Sequence, residues 1–358
     1  MDTDRPSQNL SVHTGDKMKR IKCVVWDLDN TIWDGTLLED GRVSLREDAA
    51  AVVRVLDSRG ILQSIASRND YETAMQKLNE FRMGEYFLYP QINWNSKSSC
   101  IVKIAGSLNI DVDSFAFIDD QPFEREEVSS SCAGVLCIDA ADIGNLPDMP
   151  EFNPRFITDD SRLRRRMYLD DVKRSRLEEE FVGPKEEFLA SLGMKLNIFR
   201  AADEDLRRAE ELTVRTNQLN ATGYTYSYEE LDRFRRSDRH ELLMARLQDR
   251  FGSYGHIGLA LIEKDASVWT IKLLLMSCRV MSRGVGSIML NYIMQLAKRN
   301  NTRLRAEFLP NGKNRMMEIM YRFAGFENIY ELGGISVLEH SLKQVQNIPD
   351  YVEVKTGE

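Results

Sequence analysis

Two aspartates one residue apart, Asp27 and Asp29, close the apolar run Val24-Val25-Trp26, and Thr31 follows two residues later. Carboxylates this close repel each other unless a cation lies between them, which points to a hard divalent metal such as Mg²⁺. A carboxylate beside such a metal and a phosphate can attack phosphorus and form an aspartyl-phosphate. Alone, Asp-x-Asp reads equally well as a turn cap after an ordinary strand. Downstream residues shift that balance. Ser67-Arg68-Asn69 closes the run Ile61 to Ala66, Lys97 lies in a polar stretch, and Asp119-Asp120 closes Phe115 to Ile118, with Glu124 four residues beyond. The ends of three apolar runs thus deliver a carboxylate pair, a small hydroxyl and a second carboxylate pair, with a lysine between the last two. Phosphoryl transfer needs this equipment, because positioning and charge neutralisation carry most of its catalysis.

A second set of reactive types lies near residue 280. Cys278 precedes Arg279, and Arg283-Gly284-Val285-Gly286 opens an amphipathic stretch. A glycine-rich turn opening a helix presents N–H groups that can hold a phosphate, although such a turn is a helix cap at least as often. A cysteine near a helix N-terminus and two arginines is placed to act as a nucleophile. An inert half-buried thiol is the competing reading, and the only one for Cys23, Cys100, Cys132 and Cys137. His256 is the best-placed imidazole to serve Cys278 as a base, against the alternative of a satisfied strand-end histidine.

The elements that must position these residues follow from periodicity. Ile21 to Trp26, Ile61 to Ala66 and Phe115 to Ile118 are short β-branched and aromatic runs that read as buried strands. An aspartate at the carboxyl end of such a strand lies where open α/β sheets bind their ligands. Between about 150 and 185 the chain turns to a proline-bearing linker and a charged helical pattern with Leu163, Met167 and Leu177 on one face; it reads as a solvated connecting helix, or else as a docking face for an acidic partner. Beyond 186 the pattern predicts strands over Met194 to Phe199, Glu241 to Leu247, His256 to Glu263, Trp269 to Met276 and Arg303 to Phe308. Helices are expected from Asp203 to about Thr216, over Tyr228 to Arg235, after the glycine turn, and over Asn314 to Phe323.

The chain has 358 residues, 42% of them hydrophobic, so about two domains are expected. A net charge of −8 argues against general nucleic-acid binding. No apolar run approaches the roughly 18 residues of a membrane span, and the N-terminus lacks a signal-peptide pattern. Five cysteines without metal spacing suit a reduced, cytoplasmic protein.

The order of the first set resembles the haloacid dehalogenase (HAD) phosphatases over roughly residues 20–150. That resemblance implies Asp27 as nucleophile and metal ligand, and Asp29 as acid/base with its main-chain carbonyl on the metal. It implies Thr31, Ser67, Arg68, Asn69 and Lys97 around the phosphate, and Asp120 ahead of Asp119 as the remaining metal ligand, with Glu124 an outer partner. Strand, RGVG turn, helix, strand and helix resemble the GNAT acetyltransferase fold, in which that turn binds a pyrophosphate; the Gln or Arg usual three residues before the first glycine is Met281 here. Arg279, Arg283, Gly284 and Gly286 are the candidate phosphate contacts. Together, WDLDNTIWDG, IDDQPFEREEV, DRFGSYG, LLMSCRVMSRGVG and AEFLPNGKN resemble the FkbH-like family of polyketide pathways. The implied fold is α/β: a Rossmann-like HAD domain at 20–150 with a minimal cap, a linker and charged helix at 151–185, and a GNAT-like domain at 186–345. A leader at 1–19 and a tail at 346–358 flank them. The implied activity is transfer of a glyceryl unit from 1,3-bisphosphoglycerate, through Cys278, to the phosphopantetheine thiol of an acyl carrier protein, with Mg²⁺-dependent dephosphorylation. About 32 residues separate Thr31 from Ser64, too few for a large cap, so an open phosphatase site is expected. Two other classes stay open: a plain small-molecule phosphatase, and a non-catalytic carrier-protein adaptor.

Overall fold

A computed structural model describes residues 20–357. The expected leader at 1–19 lies outside them. The chain divides into two compact units, residues 20–105 with 110–155, and residues 156–357 with 106–109.

The first unit is built on a five-stranded parallel sheet. Its elements run β1 (Cys23–Trp26), a small antiparallel pair β2 (Trp33–Asp34) and β3 (Ser44–Leu45) around the single-turn α1 (Leu37–Asp40), then α2 (Glu47–Ser58), β4 (Leu62–Ser67), α3 (Tyr71–Glu80), β5 (Gln91–Ile92), α4 (Lys97–Leu108), β6 (Phe115–Asp119), α5 (Pro122–Ser131) and β7 (Leu136–Asp139). The order β5-β4-β1-β6-β7 puts β1 at the centre, between β4 and β6. A parallel sheet covered on both faces reads as continuous apolar runs rather than alternation. All of β1, β4 and β6 is buried accordingly. Gln63, polar within β4, is satisfied: its Oε1 accepts from Trp26 Nε1 at 2.7 Å and its Nε2 donates to Ile61 O at 2.9 Å. Between β1 and α2 the only insertion is the β2–α1–β3 piece, so nothing large is inserted over the carboxyl edge of the sheet at that point.

The second unit opens with α6 (Asp159–Arg162), α7 (Arg164–Glu180) and α8 (Lys185–Ser191), then β8 (Met194–Arg200), α9 (Leu206–Arg215), α10 (Tyr228–Arg235), β9 (His240–Asp249), β10 (Gly252–Lys264), β11 (Val268–Met276), α11 (Val285–Arg299), β12 (Arg303–Phe308), α12 (Arg315–Phe323), β13 (Glu327–Leu332), β14 (Ile335–His340) and β15 (Val352–Thr356). The eight strands form one sheet, β13-β14-β12-β11-β10-β9-β8-β15. Its strands alternate between two cores. Leu242, Met244, Leu259, Leu261, Leu273 and Leu275 pack with α9 and α10, while Leu243, Ala245, Ala260, Leu274 and Met276 pack with α11 and α12. The period of two explains why both faces of these strands are apolar.

Two expectations need correction here. Residues 346–358 were expected as a tail, yet they contain β15, which pairs in parallel with β8 from Val352↔Met194 to Thr356↔Ile198. The charged helix was expected as a solvated connector, but α7 buries Arg164, Asp170 and Arg174. Arg174 is 0% exposed; its Nε and Nη2 donate to the two oxygens of Asp249 at 2.8 Å each, its Nη1 donates to Asp171 at 2.8 Å, and its guanidinium lies 3.9 Å from the Tyr254 ring centroid. No helix among the described residues is long and apolar enough to cross a membrane.

Removing one partner of a buried ion pair leaves the other charge uncompensated, at a cost of about 3–5 kcal/mol. Arg174→Met should therefore lower the free energy of unfolding by about that amount in urea titrations. A loss under about 1 kcal/mol, typical of surface pairs, would show that α7 is not held this way.

Candidate active sites

In the first unit, three strand ends bring charge to one place. Asp27 follows β1, its N–H donating to Ile118 O of β6 at 2.9 Å. Lys97, the first residue of α4, reaches all three central strands. Its Nζ donates to Asp27 Oδ1 and to Ala66 O at 2.8 Å, and lies 3.2 Å from Asp119 Oδ2. Carboxylate oxygens of Asp27, Asp119 and Asp120 lie within 4.8 Å of one another. Burial pushes the Asp27 carboxyl up to about 7; Lys97 pulls it down and Asp119 pushes it up. Asp120 is likewise raised, by burial and then by Asp119. Lys97 is raised: burial opposes its charge, but Asp27 and Asp119 outweigh that.

One lysine does not satisfy three carboxylates. The buried Asp120 Oδ1 has no hydrogen-bond donor among the described residues, and Asp119 Oδ2 has only the Lys97 ammonium, 3.2 Å away and shared with Asp27. An all-oxygen donor set with orphaned, mutually repelling carboxylates fits a hard divalent cation such as Mg²⁺. The sequence favoured Asp120 over Asp119; the structure brings both to the cluster. Asp29 stays outside the trio. Its Oδ1 accepts from Trp33 Nε1 at 2.7 Å and Leu37 N at 3.0 Å, and its Oδ2 from Asn69 Nδ2 at 3.1 Å, which fixes the carboxylate beside Asp27.

Ser67 and Thr31 are buried at the same edge, and Thr31 Oγ1 has no partner among the described residues. Two expected phosphate contacts are otherwise engaged. Asn69 orients Asp29, and Arg68, with its side chain 44% exposed, pairs with Glu124 Oε1 at 3.2 Å. Sequence reasoning missed two supports. Trp33 anchors Asp29, and Arg125 donates to the main-chain oxygen of Asp119 at 2.7 Å and to Asp139 at 2.5 Å. The position of Arg125, one turn into the helix after Asp120, was the available signal.

In the second unit, Cys278 is a half-buried thiol outside any disulfide. It opens a 3₁₀ turn, Cys278–Arg283, just past β11. His256, expected as its base, is held elsewhere. Its Nδ1 lies 3.3 Å from Asp160 Oδ2, and its Nε2 lies 2.7 Å from Arg246 Nη2 and 3.4 Å from Asp205 Oδ1. Both ring nitrogens are thus committed to side chains other than Cys278. Arg283, expected on phosphate, is buried and pairs with Glu178 at 2.8 Å. Arg279 instead points its Nη1 at Met167 Sδ, 2.7 Å away. The two glycines have a packing reason. Gly284, at φ 72°, caps α11 where a Cβ would stand 2.4 Å from Tyr351 Oη, and a Cβ on Gly286 would meet Met320 Sδ at 3.2 Å.

The main-chain edge at the end of β11 is taken. Pairing of β11 with β12 stops at Ile271↔Ala306, and the segment 219–221 fills the split beyond it. Ala221 N donates to Leu274 O at 3.0 Å, Met276 N to Leu219 O at 2.9 Å, and Leu309 N to Ala221 O at 3.0 Å. Asn314, 1% exposed, donates Nδ2 to the carbonyls of Asn220, Ala221 and Leu309.

Neither protein-family models nor curated proteins give a match to this sequence. Among solved structures, the chain is similar to the N-terminal part of BF1531 from Bacteroides fragilis, which contains a phosphatase domain and was solved in complex with Mg. Identity is 31% over 35% of this chain and 38% of that one, with a TM-score of 0.32. The ribosomal-protein-S18-alanine N-acetyltransferase of Escherichia coli is similar at 15% identity over 42% of this chain and 96% of its own, with a TM-score of 0.33. The GNAT domain of S. lividans PAT is similar at 19% identity over 40% and 88%, with a TM-score of 0.32. The chain spans little more than a third of the BF1531 structure that it matches. Its fold class is α/β: a unit on a five-stranded parallel sheet followed by a unit on an eight-stranded mixed sheet.

Two measurements follow. Mg²⁺ at about 100 times its Kd should stabilise the protein by about 2.7 kcal/mol, read as a rise in melting temperature. Asp119→Asn or Asp120→Asn should remove most of that rise; a wild type indifferent to Mg²⁺ would exclude the carboxylate trio as a metal centre. The His256 pair gives a pH signature. Burial opposes its charge, but hydrogen bonds to Asp160 and Asp205 outweigh this and raise its pKa. A raised histidine contributes its full stability below its unfolded pKa, about 6.5, and loses it as pH climbs through the folded value. His256→Asn should therefore cost more stability at pH 6 than at pH 9. Equal costs at both would mean that the ring is neutral throughout.

Proposed function

We propose that the protein is a two-site enzyme, a Mg²⁺-dependent phosphohydrolase joined to an acyltransferase. It would move a glyceryl unit from 1,3-bisphosphoglycerate to the phosphopantetheine thiol of an acyl carrier protein and remove the remaining phosphate. The convergence of Asp27, Asp119 and Asp120 at the carboxyl ends of β1 and β6, with Lys97 paired to the first two, carries the phosphatase half. The transferase half rests on the FkbH-like resemblance and on Cys278 beside Arg279 at the end of β11.

At the first site, the Asp27 carboxylate attacks the phosphorus of the C3 ester. Asp29, fixed by Trp33, Leu37 and Asn69, gives its proton to the departing alkoxide and takes one back from the water that cleaves the aspartyl-phosphate. For the first of these transfers Asp29 must enter the step protonated. Lys97 neutralises charge on the nucleophile and on the transferring group. A bound Mg²⁺, held by Asp27, Asp119 and Asp120, supplies further neutralisation of the phosphoryl oxygens. Ser67 lies at the same strand ends and donates to those oxygens. At the second site, an acyl phosphate is already activated, so the Cys278 thiol gains the acyl group without ATP. Exchange onto a carrier thiol replaces one thioester with another at almost no cost. The shallow β2–α1–β3 insertion leaves the phosphatase edge open to a substrate tethered to a carrier.

Enzyme, Mg²⁺, 1,3-bisphosphoglycerate and a phosphopantetheinylated carrier should together give a carrier heavier by one glyceryl group on intact-mass analysis. Without carrier, the enzyme should gain a hydroxylamine-labile adduct that maps to Cys278. Asp27→Asn should cut release of the C3 phosphate by at least about 10²–10³-fold and leave the adduct phosphorylated, while the C1 phosphate is still released on acylation. Carrier loading by Cys278→Ala at the wild-type rate, or an adduct on another cysteine, would exclude the covalent route.

A further inference from the structure

A carboxylate offers about four lone-pair sites to hydrogen-bond donors. Asp29 fills three of them, unevenly. Its Oδ1 accepts from Trp33 Nε1 at 2.7 Å and from the main-chain N–H of Leu37 at 3.0 Å, whereas its Oδ2 accepts only from Asn69 Nδ2 at 3.1 Å. The donors come from three elements: Trp33 opens β2, Leu37 opens α1, and Asn69 follows β4. Each is held in place. Trp33 is fully buried, its ring centroid 6.4 Å from that of Phe81, and its main chain pairs with Leu45 of β3. The Leu37 N–H belongs to the first turn of α1, where main-chain amides have no partner inside the helix. Asn69 is 1% exposed, and its Oδ1 accepts from Asp70 N at 3.1 Å, which turns the amide nitrogen toward Asp29. A proton on Oδ1 would face two N–H groups. On Oδ2 it finds a site still open among the described residues.

We infer that Trp33 and Asn69 are positioning residues that reserve Oδ2 of Asp29 for proton transfer, and that the first site is thereby specialised for phosphate esters of unactivated alcohols. The inference rests on the phosphatase reading above and adds the transferring atom, the groups that hold it and the substrate class. It also moves Asn69 from the phosphate, where the family resemblance put it, to the acid. In the step concerned, a carboxylate oxygen of Asp27 bonds to phosphorus and the bond from phosphorus to the alcohol oxygen breaks. The bonding pair leaves on the alcohol oxygen, and the Oδ2 proton follows it. Water then returns a proton to Oδ2 as its oxygen displaces Asp27 from phosphorus. Nothing is oxidised or reduced. An alkoxide leaves poorly without that proton, whereas a nitrophenolate departs as a stable anion and needs none. Misplacing Asp29 therefore slows the first kind of ester far more than the second.

The probes are glycerol 3-phosphate, an alkyl ester, and 4-nitrophenyl phosphate, each with Mg²⁺ and the full chain. Trp33→Phe keeps an aromatic ring beside Phe81 and removes the N–H. It should lower kcat on glycerol 3-phosphate by about 10–10²-fold with KM little changed, because a misplaced acid slows the step without loosening the bound substrate. The loss on 4-nitrophenyl phosphate should be at least about tenfold smaller. Asn69→Ala should show the same contrast; an asparagine bound to phosphate would instead lose both probes alike and raise KM. On an Asp29→Asn background, Trp33→Phe should add almost nothing, since the group it positions is already disabled. Melting curves check the fold of each variant; if Trp33→Phe does not fold, the Asn69→Ala contrast decides. Equal losses on both probes, or full additivity with Asp29→Asn, overturn the inference and leave the phosphatase reading standing. A wild type that turns over neither probe with Mg²⁺ sinks that reading and the inference with it.

Discussion

A single buried ammonium holds the first unit's chemistry together. Lys97 Nζ touches the products of three strands at once: the carboxylate after β1, a carbonyl of β4 and the carboxylate ending β6. Remove that cation and Asp27, Asp119 and Asp120 become a cluster of like charges out of water, which no hydrophobic packing offsets. Its presence still leaves the cluster under-neutralised, and that residual imbalance is what a divalent cation would answer. The parallel sheet exists in this form to bring those strand ends into register. β1 must lie between β4 and β6, and α4 must begin where its first side chain can turn back over the sheet.

Much of this was legible in the sequence because the first unit's strands are buried on both faces. A run such as Cys23–Trp26 has one reading whichever face is considered, and the residue after it must lie at the edge. The partnerships among polar side chains were less legible. Asn69 follows Ser67 closely enough to read as a phosphate ligand, and only three-dimensional placement shows its amide turned to Asp29. In the second unit the difficulty was facing. Pairing of β9 with β10 shifts register between Ser253 and Gly255 and again between His256 and Gly258. Each shift exchanges the two sides of the strand, so alternation could not say that His256 turns toward Asp160 and Asp205.

The charged helix α7 misled for a related reason. Hydrophobic periodicity recognises a buried face by its apolar residues, whereas α7 buries Arg174 through Asp249, Asp171 and the ring of Tyr254. Composition alone cannot separate a helix whose charges are solvated from one whose charges are paired. The short β15 escaped detection differently. Five residues with one buried side chain, Val352, carry almost no pattern, and the strand exists because β8 offers it a free edge.

The split between β11 and β12 is bridged by the chain's own residues 219–221, locked by three carbonyls converging on the amide of Asn314. A sheet that opens along one seam normally offers a row of main-chain groups to whatever enters. Here the row is already spoken for, so an incoming arm would meet a closed seam and would have to unpick three residues' worth of bonds or dock through side chains alone. The first route ties entry to local unfolding of a segment far from the thiol in sequence. The second turns recognition from zipper into lock: shape and charge at the mouth, with Cys278 and Arg279 at its edge, would decide what is admitted, and the sheet itself would play the part of a wall.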